Sequence, residues 1–280
     1  MTEHAGSRYA QFLLIVIVAL LCVPLVVMYL WLVESAFAKT TYGIIPSGFT
    51  LQNWRFFWEG FANMPSIWRI TFNTLIFATV VTVAEVFFAT LTGYALSRMK
   101  FPGRRIFLSF TLVLHAFPAV TLLIAIFYVL LIMGLYDTLL GVILVKAALE
   151  LPLGVWIMKG FFDNISWDME MSALVDGCSR FRTWWEVLVP NIRPGIAALS
   201  IFAFLSGWSE FLLPYIFTSS FDNFTLSVLL KRLVGDFRFV DYGILTAVGL
   251  YYMLPVLLFF IFTQEYLLNI YAGGTKGTQI

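Results

Sequence analysis

The most constraining feature of this chain is an uncharged apolar run from Tyr9 to Val33. It exceeds the apolar core of a secretory leader, about 7–15 residues. As a helix it is long enough to cross a hydrocarbon core of about 30 Å. Ala36-Phe37-Ala38 has the form of a cleavage site, but the length of the run favours an uncleaved first span. Five further runs follow: Trp68–Ser97, Ile106–Met133, Gly141–Phe162, Gly195–Thr218 and Tyr242–Leu268. Their ends are placed to about two to four residues.

Composition supports this reading. The chain is 61% hydrophobic and only 12% charged, where a soluble domain carries about 25% charge. So little charge cannot cover a water-facing surface, but it can cover the ends of helices whose sides face lipid. The expected fold is an all-α membrane protein of six transmembrane helices in a single domain over residues 1–280. Six spans leave no room for a nucleotide-binding domain, so an energy source is expected in a partner. Pro24, Pro118, Pro152, Pro214 and Pro255 fall within the runs. Inside a bundle, neighbouring groups re-satisfy the carbonyls that each proline frees.

Lys and Arg set the orientation. Arg98, Lys100, Arg104 and Arg105 follow the second run; Arg180, Arg182 and Arg193 follow the fourth; Gly134–Leu140 has neither residue. Both termini, with Arg8 and Lys276, are therefore expected in the cytoplasm. The last outer loop carries Lys231, Arg232 and Arg238 beside Asp222, Asp236 and Asp241, and reads as rich in ion pairs. Between the first two runs, Asn53-Trp54-Arg55-Phe56-Phe57-Trp58 suits a helix lying at the interface.

Several chemistries find no support. A net charge of +1 without a basic stripe gives no footprint for nucleic acid. There is no Gly-rich phosphate loop with a Lys and no H-E-x-x-H. His4 and His115 are the only histidines, too few for a metal centre alone, and Cys22 and Cys178 do not make a disulfide framework. No catalytic, metal or cofactor site is expected.

The stretch Asp163–Gly195 is the most informative. It is longer than a helix–helix connection, usually about 2–8 residues. Ser166 is placed to cap a short helix, with Asp168 and Glu170 in its first turn. That helix is expected to end near Asp176, with Gly177 in the left-handed conformation. A second short helix would carry Phe181, Trp184, Trp185 and Leu188 on one side, stopped by Pro190 and Pro194. Two short helices at the cytoplasmic face form a projection that could fit a groove on a soluble partner.

This stretch resembles the cytoplasmic "EAA" loop of bacterial and archaeal importer permeases, E-A-A-x-x-D-G-A followed by Leu-Pro. The matching residues run from Met171 to Cys178, then Val189-Pro190. Ala173, Asp176, Gly177 and Pro190 agree with the pattern. Met171, Ser172 and Cys178 depart from it, and Glu170 stands one position early, a turn of about 100° around the helix. Asn73-Thr74, Gly93–Arg98, Gly134–Thr138, Leu151-Pro152, Trp208–Phe211 and Gly273–Gly277 resemble the carbohydrate branch. Within it, the chain is most similar to the shorter six-span permease of maltose-type importers. The resemblance implies a sugar importer of the ATP-binding-cassette type, with a second related permease, two ATPase subunits that bind ATP and Mg, and an extracytoplasmic binding protein. It implies residence in a bacterial or archaeal plasma membrane. It also implies an ATPase-docking set of Trp167, Glu170, Met171, Ser172, Ala173, Leu174, Asp176, Gly177, Arg180 and Phe181.

Charge inside a span costs about 3 kcal/mol even on insertion scales, so Glu85, His115, Lys146, Glu150 and Glu210 each need a reason. Lys146 and Glu150, at i and i+4, can pair on one helix face. Phe204, Trp208, Ser209, Glu210 and His115 are candidates for the wall of a solute pathway, with ordinary packing or ion pairing as the alternative for each. Glu85 has no partner identifiable from sequence. An ion-driven secondary transporter is the alternative function; it favours an internal repeat and broken helices, and no repeat is visible here. An intramembrane enzyme would need a catalytic pair that the sequence does not offer.

Overall fold

The computed structural model describes residues 3–40, 45–61, 64–235 and 241–274. Its chain divides into two compact units: Met1–Ser66 with Leu230–Pro255, and Ile67–Leu229 with Val256–Ile280. The helices in chain order are α1 (Glu3–Ala36), α2 (Ile67–Arg98), α3 (Arg104–Ala116), α4 (Ala119–Ile132), α5 (Leu139–Asp163), α6 (Trp167–Val175), α7 (Arg180–Arg182), α8 (Val189–Asn191), α9 (Arg193–Trp208), α10 (Leu212–Phe217), α11 (Leu226–Val234) and α12 (Tyr242–Gly274). Among the described residues four are long and apolar enough to cross a membrane, within Ala10–Ala36, Ile67–Arg98, Leu139–Asp163 and Tyr242–Ile261; two bent pairs, α3 with α4 and Arg180–Asn191 with α9, raise the number to six if each pair is one span.

In the first unit, every described side chain of α1 from Ala10 to Leu30 is exposed. That length of bare apolar surface needs lipid or another chain to cover it. A two-stranded antiparallel hairpin follows, β1 (Ala38–Thr40) and β2 (Ser47–Phe49), an element that the sequence reading does not anticipate. The aromatic segment forms a 3-10 helix at Gln52–Phe57. Asn53 pins it to the hairpin by donating to the Ala36 and Ala38 carbonyls at 3.1 and 2.9 Å. Phe37, Trp54 and Phe57 then stack in series, which fixes the hairpin through ring contacts.

The second unit is built on α2, α5 and α9. Glycines let their backbones meet, as small residues do between spanning helices. A Cβ at Gly93 of α2 would lie 2.8 Å from the Lys159 amide nitrogen of α5. A Cβ at Gly207 of α9 would lie 2.9 Å from the Ala78 Cα of α2. One buried cluster joins Tyr94, Leu96, Met158, Phe162, Trp184 and Leu188; another joins Phe77, Val81, Leu130, Val142 and Phe217.

Two expected spans are interrupted. The third splits into α3 and α4 at a bend of 99°. Pro118 cannot donate to the helix ladder and forces its predecessor toward extended backbone; Phe117 accordingly sits at φ −73°, ψ 127°. The fifth is broken at Ser209–Phe211, between α9 and α10. Pro152, Pro24 and Pro255 remain inside continuous helices. Asp236 and Arg238 of the expected ion-pair loop lie outside the described residues, as do Thr275, Lys276 and Gly277 and the side chains of His4 and Arg8.

Candidate functional site

The stretch after α5 folds as two short helical pieces. α6 begins after Ser166, whose extended backbone fits an N-cap, although its side chain makes no capping bond. α6 ends where Asp176 caps its C-terminus and Gly177 takes φ +87°. The second piece is α7, a π-helical turn at Thr183–Leu188, and α8. Its aromatic side is split: Trp184 and Leu188 are buried among Tyr94, Met158 and Phe162, whereas Phe181 and Trp185 are 67% and 57% exposed. The expectation of one shared face fails because the turn widens at this point, and the side-chain spacing is no longer that of an α-helix.

Glu170 corrects the sequence reading most sharply. It is fully buried, so it is absent from the outward face of the docking set. The Tyr94 hydroxyl donates to its Oε1 at 2.9 Å, and Arg98 Nε lies 3.4 Å from its Oε2. That second approach is an ion contact longer than a hydrogen bond, and neither atom makes another hydrogen bond. Arg98 is itself 4% exposed. Its Nη2 donates to the Phe162 and Ile165 carbonyls at 2.8 and 2.6 Å, and its guanidinium lies 4.9 Å over the Trp167 ring. Alongside, Ser97 donates to Asp163 at 2.6 Å, Lys159 pairs with Asp163, and Arg104 donates to the Ser97 carbonyl at 3.2 Å. In the sequence Arg98 enters through the orientation rule and the Gly93–Arg98 resemblance, neither of which gives it a partner; its place in the last turn of a span, opposite an acid-bearing loop, is the available signal.

The rest of the docking set has an outward side. Met171, Ser172, Asp176, Gly177, Arg180 and Phe181 are exposed, and Ala173 and Leu174 are half-buried. Ser172 bonds back to the Asp168 carbonyl at 2.9 Å. Val175, which the reading passes over, is the most exposed of the set's neighbours at 85%.

Within the spans, the charges gather around Lys146. Its Nζ lies 2.7 Å from Glu150 Oε1 and 2.6 Å from Glu210 Oε2, so the i, i+4 pair forms and Glu210 joins it. Ser206 donates to Glu150. Glu210 sits in the break between α9 and α10, where its Oε1 accepts from the Leu213 amide at 3.1 Å and its carbonyl from Ser227 at 2.7 Å. Glu85 is 3% exposed and faces Glu150, and its Oε2 has no hydrogen-bond partner among the described residues. A Cβ at Gly154 would lie 2.9 Å from Glu85 Oε1, so the glycine makes room for that carboxyl.

The aromatic pathway candidates pack on one another. Trp208 is 2% exposed and stacks on Phe204 with centroids 6.0 Å apart, and Phe204 stacks on Phe259 at 4.9 Å. Trp208 is therefore packed within this chain, against Phe204. Ser209 and His115 are exposed, His115 in the last turn of α3 before the bend. No group of three or more metal-ligating side chains occurs among the described residues.

The comparisons with known proteins agree with this architecture. A family model described as "Binding-protein-dependent transport system inner membrane component" matches residues 85–267. The diacetylchitobiose uptake system permease protein NgcG of Streptomyces coelicolor is 31% identical over 258 residues, 90% of this chain and 84% of that protein. The trehalose transport system permease protein SugB of Mycobacterium tuberculosis is 28% identical over 236 residues, 84% of this chain and 85% of that protein. A chain in the crystal structure of a bacterial ABC transporter involved in the import of the acidic polysaccharide alginate superposes with a TM-score of 0.78 at 18% identity. The superposition covers 93% of this chain and 97% of that one.

Proposed function

The chain belongs to the family of binding-protein-dependent transport system inner membrane components, and we propose that it carries a disaccharide or oligosaccharide, with α6 as its contact to an ATPase. It is a multi-pass inner-membrane permease subunit of an ATP-binding-cassette importer for sugars, working with a periplasmic binding protein. ATP is hydrolysed by a partner subunit, and the permease needs no cofactor of its own. The solute class follows from relatives named for diacetylchitobiose, trehalose and maltodextrin. The full assembly in this reading has a second related permease, two ATPase subunits and both termini of this chain in the cytoplasm.

One observation carries the docking role. α6 turns Glu170 inward to α2 while leaving Met171, Val175 and Gly177 exposed, so the helix is anchored on one side and open on the other. An ATPase closing on the open side would displace α6 and bias the spans between inward-facing and outward-facing states. Glu210, Ser209 and His115 remain candidates for the pathway wall.

The test is Gly177→Asp. A Cβ at Gly177 meets nothing within 4 Å in this chain, and aspartate tolerates the left-handed region better than most residues. The variant should reach the membrane in normal amounts and lose uptake. Normal uptake would remove α6 from the docking role. The solute is read by adding binding protein loaded from a panel of sugars to the complex in lipid and measuring which one stimulates ATP hydrolysis.

A further inference from the structure

We propose that Arg98 is the positioning residue that carries movement of α6 into the spans, with Glu170 as its counterion. This rests on the reading that α6 contacts an ATPase. Only Asn164, Ile165 and Ser166 link α5 to α6, and so short a link can swivel. A push on α6 would then be lost in that link unless something else held the helix to the bundle.

Arg98 supplies that hold at three points. From the last turn of α2 it takes the Phe162 carbonyl near the end of α5 and the Ile165 carbonyl in the link, at 2.8 and 2.6 Å. It lies 3.4 Å from Glu170 and 4.9 Å over Trp167 on α6. Both ion partners are almost completely removed from solvent, at 2% and 0% side-chain exposure, so water does not compete for the contact. Tyr94, one turn earlier on α2, completes the hold: its hydroxyl donates to Glu170.

What Arg98 holds is stiff. At Gly93 the α2 and α5 backbones touch, and at Gly207 the α9 backbone touches α2. Backbone contact without room for a Cβ resists separation of the helices. Displacing α6 through Arg98 therefore displaces α2 and α5 as a pair, with α9 behind them. A planar guanidinium can serve several acceptors in a fixed fork, which a lysine ammonium does less well.

The experiment uses the whole importer in proteoliposomes and measures solute taken up per ATP hydrolysed, together with the amount of ATPase that co-purifies. Arg98→Gln should keep the ATPase bound and lower that ratio by about tenfold or more, within the usual range of coupling between sites. Glu170→Gln, which keeps one acceptor oxygen for Arg98 and an amide that can donate to the Tyr94 hydroxyl, should stay within about threefold on the same scale. The double variant R98Q/E170Q removes the buried lone carboxylate, so it should recover the thermal stability of the parent without recovering coupling. Recovery of both would reduce Arg98 to a structural charge partner and overturn the proposal, as would full coupling in Arg98→Gln. If Arg98→Gln fails to assemble, spin labels at positions 100 and 172 of the otherwise unaltered chain decide. Their separation should stay constant between nucleotide-free and nucleotide-trapped complexes, and a change overturns the proposal. Absence of any co-purifying ATPase with the unaltered chain would instead defeat the docking reading itself.

Discussion

Lys146 Nζ sits 2.6 Å from Glu210 Oε2, joining the middle of α5 to the break between α9 and α10. The same ammonium lies 2.7 Å from Glu150, so one cation serves two carboxylates within the apolar part of the chain. A buried ion pair adds little net stability, but removing one partner strands the other at about 3–5 kcal/mol. Lys146→Met strands two. It is expected to lower the thermal midpoint of the purified complex far more than Glu210→Gln, which leaves Lys146 paired with Glu150. Equal midpoints for the two variants would mean that Lys146 does not hold the break in place.

Glycine positions separate contact from propensity. Gly93 and Gly160 both lie in spanning helices, but a Cβ at Gly93 meets the Lys159 amide nitrogen at 2.8 Å and one at Gly160 meets nothing within 4 Å. Gly93→Ala must push α2 away from α5, an overpacking cost of about 1–3 kcal/mol. Gly160→Ala adds helix propensity without a clash and should be neutral or stabilising by up to about 1 kcal/mol. Thermal unfolding of the two variants side by side checks the difference. A Gly93→Ala protein as stable as the parent would show that the α2–α5 approach is looser than the backbone contact implies.

These contacts mark the boundary of what the sequence makes legible. The apolar runs place α2 and α5 to within two residues at either end, because a span of lipid-facing residues is set by composition and length alone. The left-handed Gly177 and the Lys146–Glu150 pair are equally local, resting on spacing within one helix. The break at Phe117–Pro118 is harder. A proline in a span permits either a kink or a full stop, and the choice depends on what packs around it. Glu170 turning inward to Tyr94 and Arg98 depends on residues more than seventy positions away, and no helical periodicity contains that information. The burial of Trp208 is similar: Phe204 one turn earlier is visible in sequence, but Phe259 is not.

In the turn between α4 and α5, Asp137 organises a loop and should make it acid-sensitive. It adopts φ +57°, unusual outside glycine, and its carboxylate accepts from the Ser219 and Ser220 amides at 2.7 and 2.9 Å and from the Ser220 hydroxyl. Burial alone would raise its carboxyl, but these hydrogen bonds, together with Asn223, outweigh it and hold the group below the ordinary aspartate value. A depressed value means that the folded loop binds fewer protons than the unfolded one, so this stabilisation grows with pH. It is fully present at neutral pH and is lost only as pH falls through the lowered value. Hydrogen exchange at Ser219 and Ser220 should therefore stay protected through the mildly acidic range and speed up beyond the ordinary aspartate value, after correction for the intrinsic pH dependence of exchange. Asp137→Asn keeps a side chain that tolerates the left-handed backbone but removes the charge. Its protection at these two amides should be weaker at neutral pH and flat with acidification. The same acid-induced loss in both proteins would place the sensitivity elsewhere in the loop.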